Sequence, residues 1–247
     1  MKPAHQLLEK ESHVQAIAET VFDAFYLTTV TIMGISMIRR GGAGSQYMLL
    51  GWMALVLGAG DSFHLVSRVY ALWTTGMEAN AAALGFGKLV TSITMTFFYL
   101  MLYTVWKRRY ATGETRLLNA SVYALAVARI ALSLFPQNEW FVPNPSLAWG
   151  IYRNIPFFLM GLIILVLYLR SAGSSRNDRF RFMWLAIALS FAFYAPVVLF
   201  ASAVPPIGSL MIPKTLAYLW IVWMGHREMR ERSEQDAHTA QPILRSP

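Results

Sequence analysis

Tyr47 to Trp73 reads YMLLGWMALVLGAGDSFHLVSRVYALW, an apolar run interrupted by Asp61, His64 and Arg68. About 20 apolar residues in a helix cross the hydrocarbon of a bilayer, so this stretch is long enough to span it with some tilt. The three ionisable residues stand at i, i+3 and i+7, which is one helical face. Charge at membrane depth is costly, and where it occurs it marks a site, a pathway or a buried pair. The same pattern recurs along the chain, where Lys88, Arg129, Arg153 and Lys214 each fall inside an apolar run.

Composition agrees with this reading. The 247 residues are 56% hydrophobic, 14% aromatic and 14% charged, with a mean hydropathy of +0.44, far from the balance of a soluble domain. Apolar runs between charged or Gly/Pro-rich breaks give seven spans: Thr20 to Ile38, Tyr47 to Trp73, Ala82 to Trp106, Leu117 to Phe135, Leu147 to Leu169, Phe180 to Ala203 and Ile207 to Gly225. The fold class expected is therefore an all-α, polytopic bundle of seven transmembrane helices. Residues 1–19 are expected to form an extramembrane segment, with an interfacial helix as one form for it, 20–225 the seven-helix membrane domain and 226–247 a polar, disordered cytoplasmic tail. The first segment is too polar for a signal peptide, and no internal repeat is visible.

Lys and Arg near span ends collect on the cytoplasmic side. Arg39 and Arg40 follow span one. Lys107, Arg108, Arg109 and Arg116 lie between spans three and four, and Arg170, Arg176, Arg179 and Arg181 between five and six. Arg227, Arg230 and Arg232 follow span seven. The alternate loops lack such clusters, so the chain is expected N-out and C-in, multi-pass in a prokaryotic cytoplasmic (inner) membrane. The formal charge of +8 is then topology and contact with anionic membrane lipids, with no nucleic acid required.

In this orientation Lys88, Arg153 and Lys214 sit roughly 8–12 Å below the outer boundary, and Asp61 and Arg129 reach about the same level. Thr91, Ser92, Tyr99 and Tyr103 continue the stripe begun by Lys88, and Tyr218 follows Lys214 by one turn. Gln137, Asn138 and Trp140 are expected at the outer mouth, with Tyr152, Arg153 and Asn154 just before Pro156. An outward-opening, water-filled cavity would gather these groups. Five cations and His64 then face Asp61, with Asp23 a further candidate, and the missing counter-charge is most simply an anionic ligand. Simpler roles stand beside this one. Arg68 snorkels, His64 packs, or Asp61 pairs with Lys88 or Arg68 to fix helix register. Pro156, Pro196 and Pro213 lie within spans and are expected to kink them.

Several chemistries are excluded by count. No cysteine is present, which removes thiolate and disulfide chemistry, and of five histidines only His64 lies in a span, so neither a metal nor a haem site is expected. Seven spans with Lys214 in the last superficially resemble microbial rhodopsins, but the aspartate four residues before the lysine is Leu210 here. No cofactor is expected. Three function classes remain. One is a membrane-embedded enzyme on an anionic amphiphile, with Asp61 orienting His64 as general acid/base and Arg68, Lys88, Arg129, Arg153 and Lys214 holding the headgroup. The others are a transporter or flippase, and a receptor or sensor, for a small anion or lipid. The sequence does not set the oligomeric state.

The loop charges generate a direct test. Single cysteines at Thr75 and Asn144 should react with a membrane-impermeant maleimide in intact cells, and cysteines at Thr112 and Ser174 only after lysis. The reverse pattern would place the charged layer on the cytoplasmic side.

Overall fold

In the computed structural model the chain folds into seven long helices: α1 (Lys2–Arg40), α2 (Gln46–Trp73), α3 (Ala81–Tyr110), α4 (Arg116–Leu134), α5 (Leu147–Ser171), α6 (Met183–Phe200) and α7 (Met211–Ala240). Three short 3-10 turns, Pro136–Asn138, Arg179–Phe182 and Pro205–Leu210, lie between them. The structure describes residues 2–111, 113, 115–173, 178–201 and 203–240, and no strand occurs among them. Thr112, Ser174 and Arg176 fall outside the described residues. All seven helices are long and apolar enough to cross a membrane, which is compatible with an integral, multi-pass protein.

The segment before Thr20 is helical, and continuous with α1. At the other end α7 runs on past Gly225 to Ala240, through residues expected to be disordered. The physical reason lies in charge spacing. Arg227 and Arg230 pair with Glu231 and Glu234 one turn further on, at 3.0 and 3.6 Å, and such i,i+4 pairs support an exposed helix. Pro213 also differs from expectation. It sits in the first turn of α7, where its missing amide would have had no helical partner, so it starts the helix and does not kink it. Pro156 and Pro196 do lie inside α5 and α6.

The helices form a closed ring. Each packs on its neighbour in sequence, α7 returns to α1 and α2, and α3 reaches inward to touch α5 as well as α4. Half of the apolar window of α3 is buried, more than in any other span, so α3 is the axial helix. Its contact with α2 is close because small residues let the backbones approach. A Cβ on Gly87 would lie 2.6 Å from both His64 Cα and Phe63 O, and one on Gly60 would collide with Thr94. Across this contact Thr91 Oγ1 donates to Gly60 O at 3.1 Å. The middle of the bundle is apolar, filled by Met53, Leu57, Leu102, Met160, Ile164, Ile221 and Val222.

Polar groups are concentrated at the two ends. The end holding Lys88, Arg153 and Lys214 is termed the lysine end, and the opposite one the arginine end. At the arginine end Arg109 of α3 is the junction: its guanidinium meets Asp178 at 2.8 Å and Glu228 of α7 at 2.8 Å, and lies over the Phe180 ring at 4.5 Å. Asp178 also accepts from Tyr110 and from the Phe180 amide, capping the turn that opens α6. Three parts of the chain are thereby clamped by one cation. Burial opposes ionisation of Asp178, but the hydrogen bonds from Tyr110, Phe180 and Arg109 outweigh it and hold its carboxyl below the ordinary carboxylate value.

Two stability measurements follow. Gly87→Ala must push α2 from α3 and should cost about 1–3 kcal/mol of thermal stability in detergent, whereas Gly113→Ala, with open space around it, should change little. Asp178→Asn should destabilise by about 1.5–3 kcal/mol at neutral pH, the range of charge-assisted hydrogen bonds. Because the folded-state value of Asp178 is depressed, its stabilisation is complete above the ordinary carboxylate value, about 3.9. It is lost as the pH falls through the lower folded value. Wild type and Asp178→Asn should accordingly converge in acid, and a gap that persisted or widened there would rule out this ion pair as its cause.

Candidate functional site

The lysine end is built from the middle of α1, the C-terminal halves of α2, α4 and α6, and the first turns of α3, α5 and α7. Asp61 accepts a hydrogen bond from Tyr26 of α1 at 2.7 Å, and Lys214 of α7 acts on it electrostatically without contact. His64, one turn along, is pressed against the Gly87 backbone and interacts with the Leu84 backbone. Its Nδ1 is buried with no hydrogen-bond partner. Asp61 and His64 are not hydrogen-bonded to each other, so the expected orientation of the imidazole by the carboxylate is not formed. Arg68 is engaged elsewhere too: Glu19 of α1 grips it at 2.7 and 3.1 Å, and Trp73 donates to Thr20 beside this pair at 3.0 Å. That two-point clamp replaces the snorkelling and Asp61-pairing alternatives, and takes Arg68 out of the set of free cations.

On the other side of the ring the polar groups link α4, α5, α6 and α7. Arg129, 2% exposed, donates from one guanidinium nitrogen to the Arg153 carbonyl and to Asn154 Oδ1, the latter at 2.8 Å, and rests over Phe157 at 4.9 Å. Asn154 Oδ1 also accepts from Tyr194 of α6 at 3.1 Å. The Tyr194 ring then carries the Lys214 ammonium at 4.6 Å, with Tyr218 on a second side at 5.2 Å. Below Lys214, Tyr218 hydrogen-bonds Tyr99, whose hydroxyl also meets Ser190 at 3.1 Å.

Asn138 and Trp140 are buried, not set at an open mouth. Asn138 Nδ2 donates to the carbonyls of Leu132, Ser133 and Phe135, closing the α4 C-terminus, and its Oδ1 accepts from Arg153 at 2.8 Å. Trp140 lies under the Arg153 guanidinium at 4.1 Å and donates to Ser133 O. Its own carbonyl sits where any Cβ on Gly85 would fall, so this loop is packed down onto α3. Arg153 is therefore held by a side-chain carbonyl and an aromatic face, with no carboxylate.

The remaining candidates divide. Lys88 is exposed on α3, within electrostatic range of Arg153 and Arg68. Thr91 is spent on the α2 contact and Ser92 is buried with its carbonyl accepting from Thr96. Gln137 is exposed on its turn, and Tyr152, 51% exposed, stands edge-on to Trp149 on the outside of the bundle. Neither is brought to the layer. Of the groups that are brought there, Arg129, Asn154, Tyr194 and Lys214 meet by direct contact, as do Arg153, Asn138 and Trp140.

Tyr26, Tyr194 and Glu19 were missed by sequence reasoning, whereas Tyr99 belongs to the stripe read on span three. Tyrosine counts as apolar in hydropathy windows, which hides its hydroxyl. A signal existed in α1, where Glu19, Asp23 and Tyr26 recur at helical spacing on one face. Among the described residues Arg68–Glu19 is the one ion pair at this end, leaving Lys88, Arg129, Arg153 and Lys214 without a bonded carboxylate. No group of three or more His, Asp or Glu side chains comes together there that could hold a metal ion. A surface depression lined by Arg179, Glu231, Glu234 and Gln235 lies at the arginine end, away from this layer. No family model, characterised protein or solved structure matches this chain, so the functional reading rests on this geometry.

Proposed function

We propose that this protein binds the anionic headgroup of an amphiphile in the outward-facing half of its helix bundle, with Lys214 as the central cation and Lys88 as the exposed one. The observation that carries this reading is the seat of Lys214. The residue is 6% exposed, and its ammonium rests on two tyrosine faces and has no hydrogen-bond acceptor or carboxylate in contact among the described residues. An ammonium offers three N–H donors, and buried donors without acceptors are expensive. A phosphate or carboxylate oxygen supplies what is missing, and the positive balance of the layer favours it. The apolar middle of the bundle separates this site from the arginine end, which supports access from one side and counts against a transporter.

A second reading, that the site performs chemistry, is favoured by the unpartnered Nδ1 of His64. In that case His64 is the proton-transfer group and His64→Gln should leave headgroup binding intact while lipid extracts of expressing cells lose a product that wild type makes. Identical extracts would remove the enzymatic reading and leave binding.

The binding reading is tested with purified protein in detergent, titrated with phosphatidylglycerol and with phosphatidylcholine and followed by native mass spectrometry. Wild type should prefer the anionic lipid. Lys214→Met keeps length and apolar bulk, and should weaken that binding by about 10- to 100-fold, the worth of a charged hydrogen bond of about 1.5–3 kcal/mol, with little loss of stability in the absence of lipid. If Lys214→Met misfolds and adding Asp61→Asn restores it, the two residues are a structural pair and the binding reading fails.

A further inference from the structure

Resting on that reading, we infer that Asp61 is a proton-binding site coupled to the anion site, so that an anion on Lys214 is taken up together with one proton on Asp61. Asp61 has a single hydrogen-bond donor, Tyr26, which occupies Oδ2 and leaves Oδ1 without a partner among the described residues. Its counter-charge is Lys214, which faces it from α7 without forming an ion pair. Lys214 in turn has only tyrosine faces for contacts. One ammonium thus lies within electrostatic range of a carboxylate on α2 and carries donors that an anion would fill.

Seating an anion on Lys214 changes the account for Asp61. The lysine charge is then neutralised by the ligand, and Asp61 faces a second negative group across a low-dielectric gap, where like charges interact strongly. A buried carboxylate that loses its counter-charge is stabilised by taking a proton. The proton comes from bulk water to Oδ1, and no other bond changes.

The groups around Asp61 point the same way. On α1, Asp23 adds negative charge, and Glu19 is already committed to Arg68. On α2, Arg68 is held by that glutamate, and His64 faces Lys88, Arg68 and Lys214. On α3, Lys88 is exposed and screened by solvent. On α7, Tyr218 lies within electrostatic range of Asp61 and is bonded to Tyr99. No cation other than Lys214 is positioned to replace it as the partner of Asp61.

The experiment uses two anions whose single charge does not change between about pH 5.5 and 8.5: phosphatidylglycerol in mixed micelles and dimethyl phosphate in solution. Binding is measured by calorimetry in buffers of different ionisation enthalpy, which also counts protons taken up. Wild type should bind more weakly as pH rises, by up to about tenfold per unit, and take up close to one proton per ligand. Asp61→Asn should bind with pH-independent affinity and no proton uptake. Coupling seen with both probes assigns the site to the charged group itself, and coupling with the lipid alone assigns it to a membrane-borne headgroup. Either supports the inference. Wild-type binding without pH dependence or proton uptake overturns it while leaving the anion site standing. A dependence that survives Asp61→Asn and vanishes in His64→Gln overturns it in favour of the imidazole. If neither probe binds at any pH, the anion site itself fails. Proton uptake by the wild type decides the matter should Asp61→Asn not fold.

Discussion

An ammonium ion withdrawn from water needs a counter-charge, a set of acceptors or polarisable faces, and at Lys214 only the last is in contact. The rings of Tyr194 and Tyr218 supply an electrostatic seat, worth about 0.5–2 kcal/mol per cation–π contact depending on desolvation, which does not satisfy the three N–H donors. Much of the lysine end is arranged around that seat. Tyr194 is fixed by Asn154, Asn154 by Arg129, and Arg129 by the Arg153 carbonyl, while Tyr26 fixes Asp61 on the opposite wall. The polar network thus has two parts, one across α4, α5 and α6 and one across α1 and α2, and Lys214 of α7 touches the first and lies within electrostatic range of the second.

The network explains why so many cations can share one level of the bundle. Arg129 and Arg153 rest on carbonyls and aromatic faces, not on carboxylates, so no bonded acid among the described residues cancels their guanidinium charge and each contributes to a positive field. Replacing acids with dipoles keeps the net charge of the layer available to something from outside. The arginine end works in the opposite sense. There Asp178 and Glu228 neutralise Arg109 directly, and the result is a clamp with no charge to spare.

Much of the fold was legible because its signals are long-range averages. Hydropathy over each span needs no knowledge of contacts, and the five middle spans coincide with their helices to within a few residues, while α1 and α7 run past theirs. The charged layer was legible for the same reason, since one charge in twenty apolar residues stands out. The partners were not. Tyr26 and Tyr194 carry their polarity on one atom of a large ring, Glu19 lay in a segment assigned outside the membrane, and Asn138 looked like a mouth residue because its capping of α4 depends on a chain reversal that sequence spacing does not display. Pro213 was misplaced by a few residues at a helix start, which turned a helix-opening proline into an apparent kink.

Helix α7 is a single rod fastened differently at its two ends. Near Glu228 and Glu231 it is gripped by short ion pairs from Arg109 and Arg179, at 2.8 and 2.7 Å. About 21 Å away along the axis, at 1.5 Å per residue, Lys214 rests on ring faces that tolerate sliding. The rod is thus stiffly hinged at one end and loosely cradled at the other. Mechanical compliance in the bundle belongs to the cradled end, so a group arriving at Lys214 can shift the first turns of α7 sideways while its far end keeps its rotational phase.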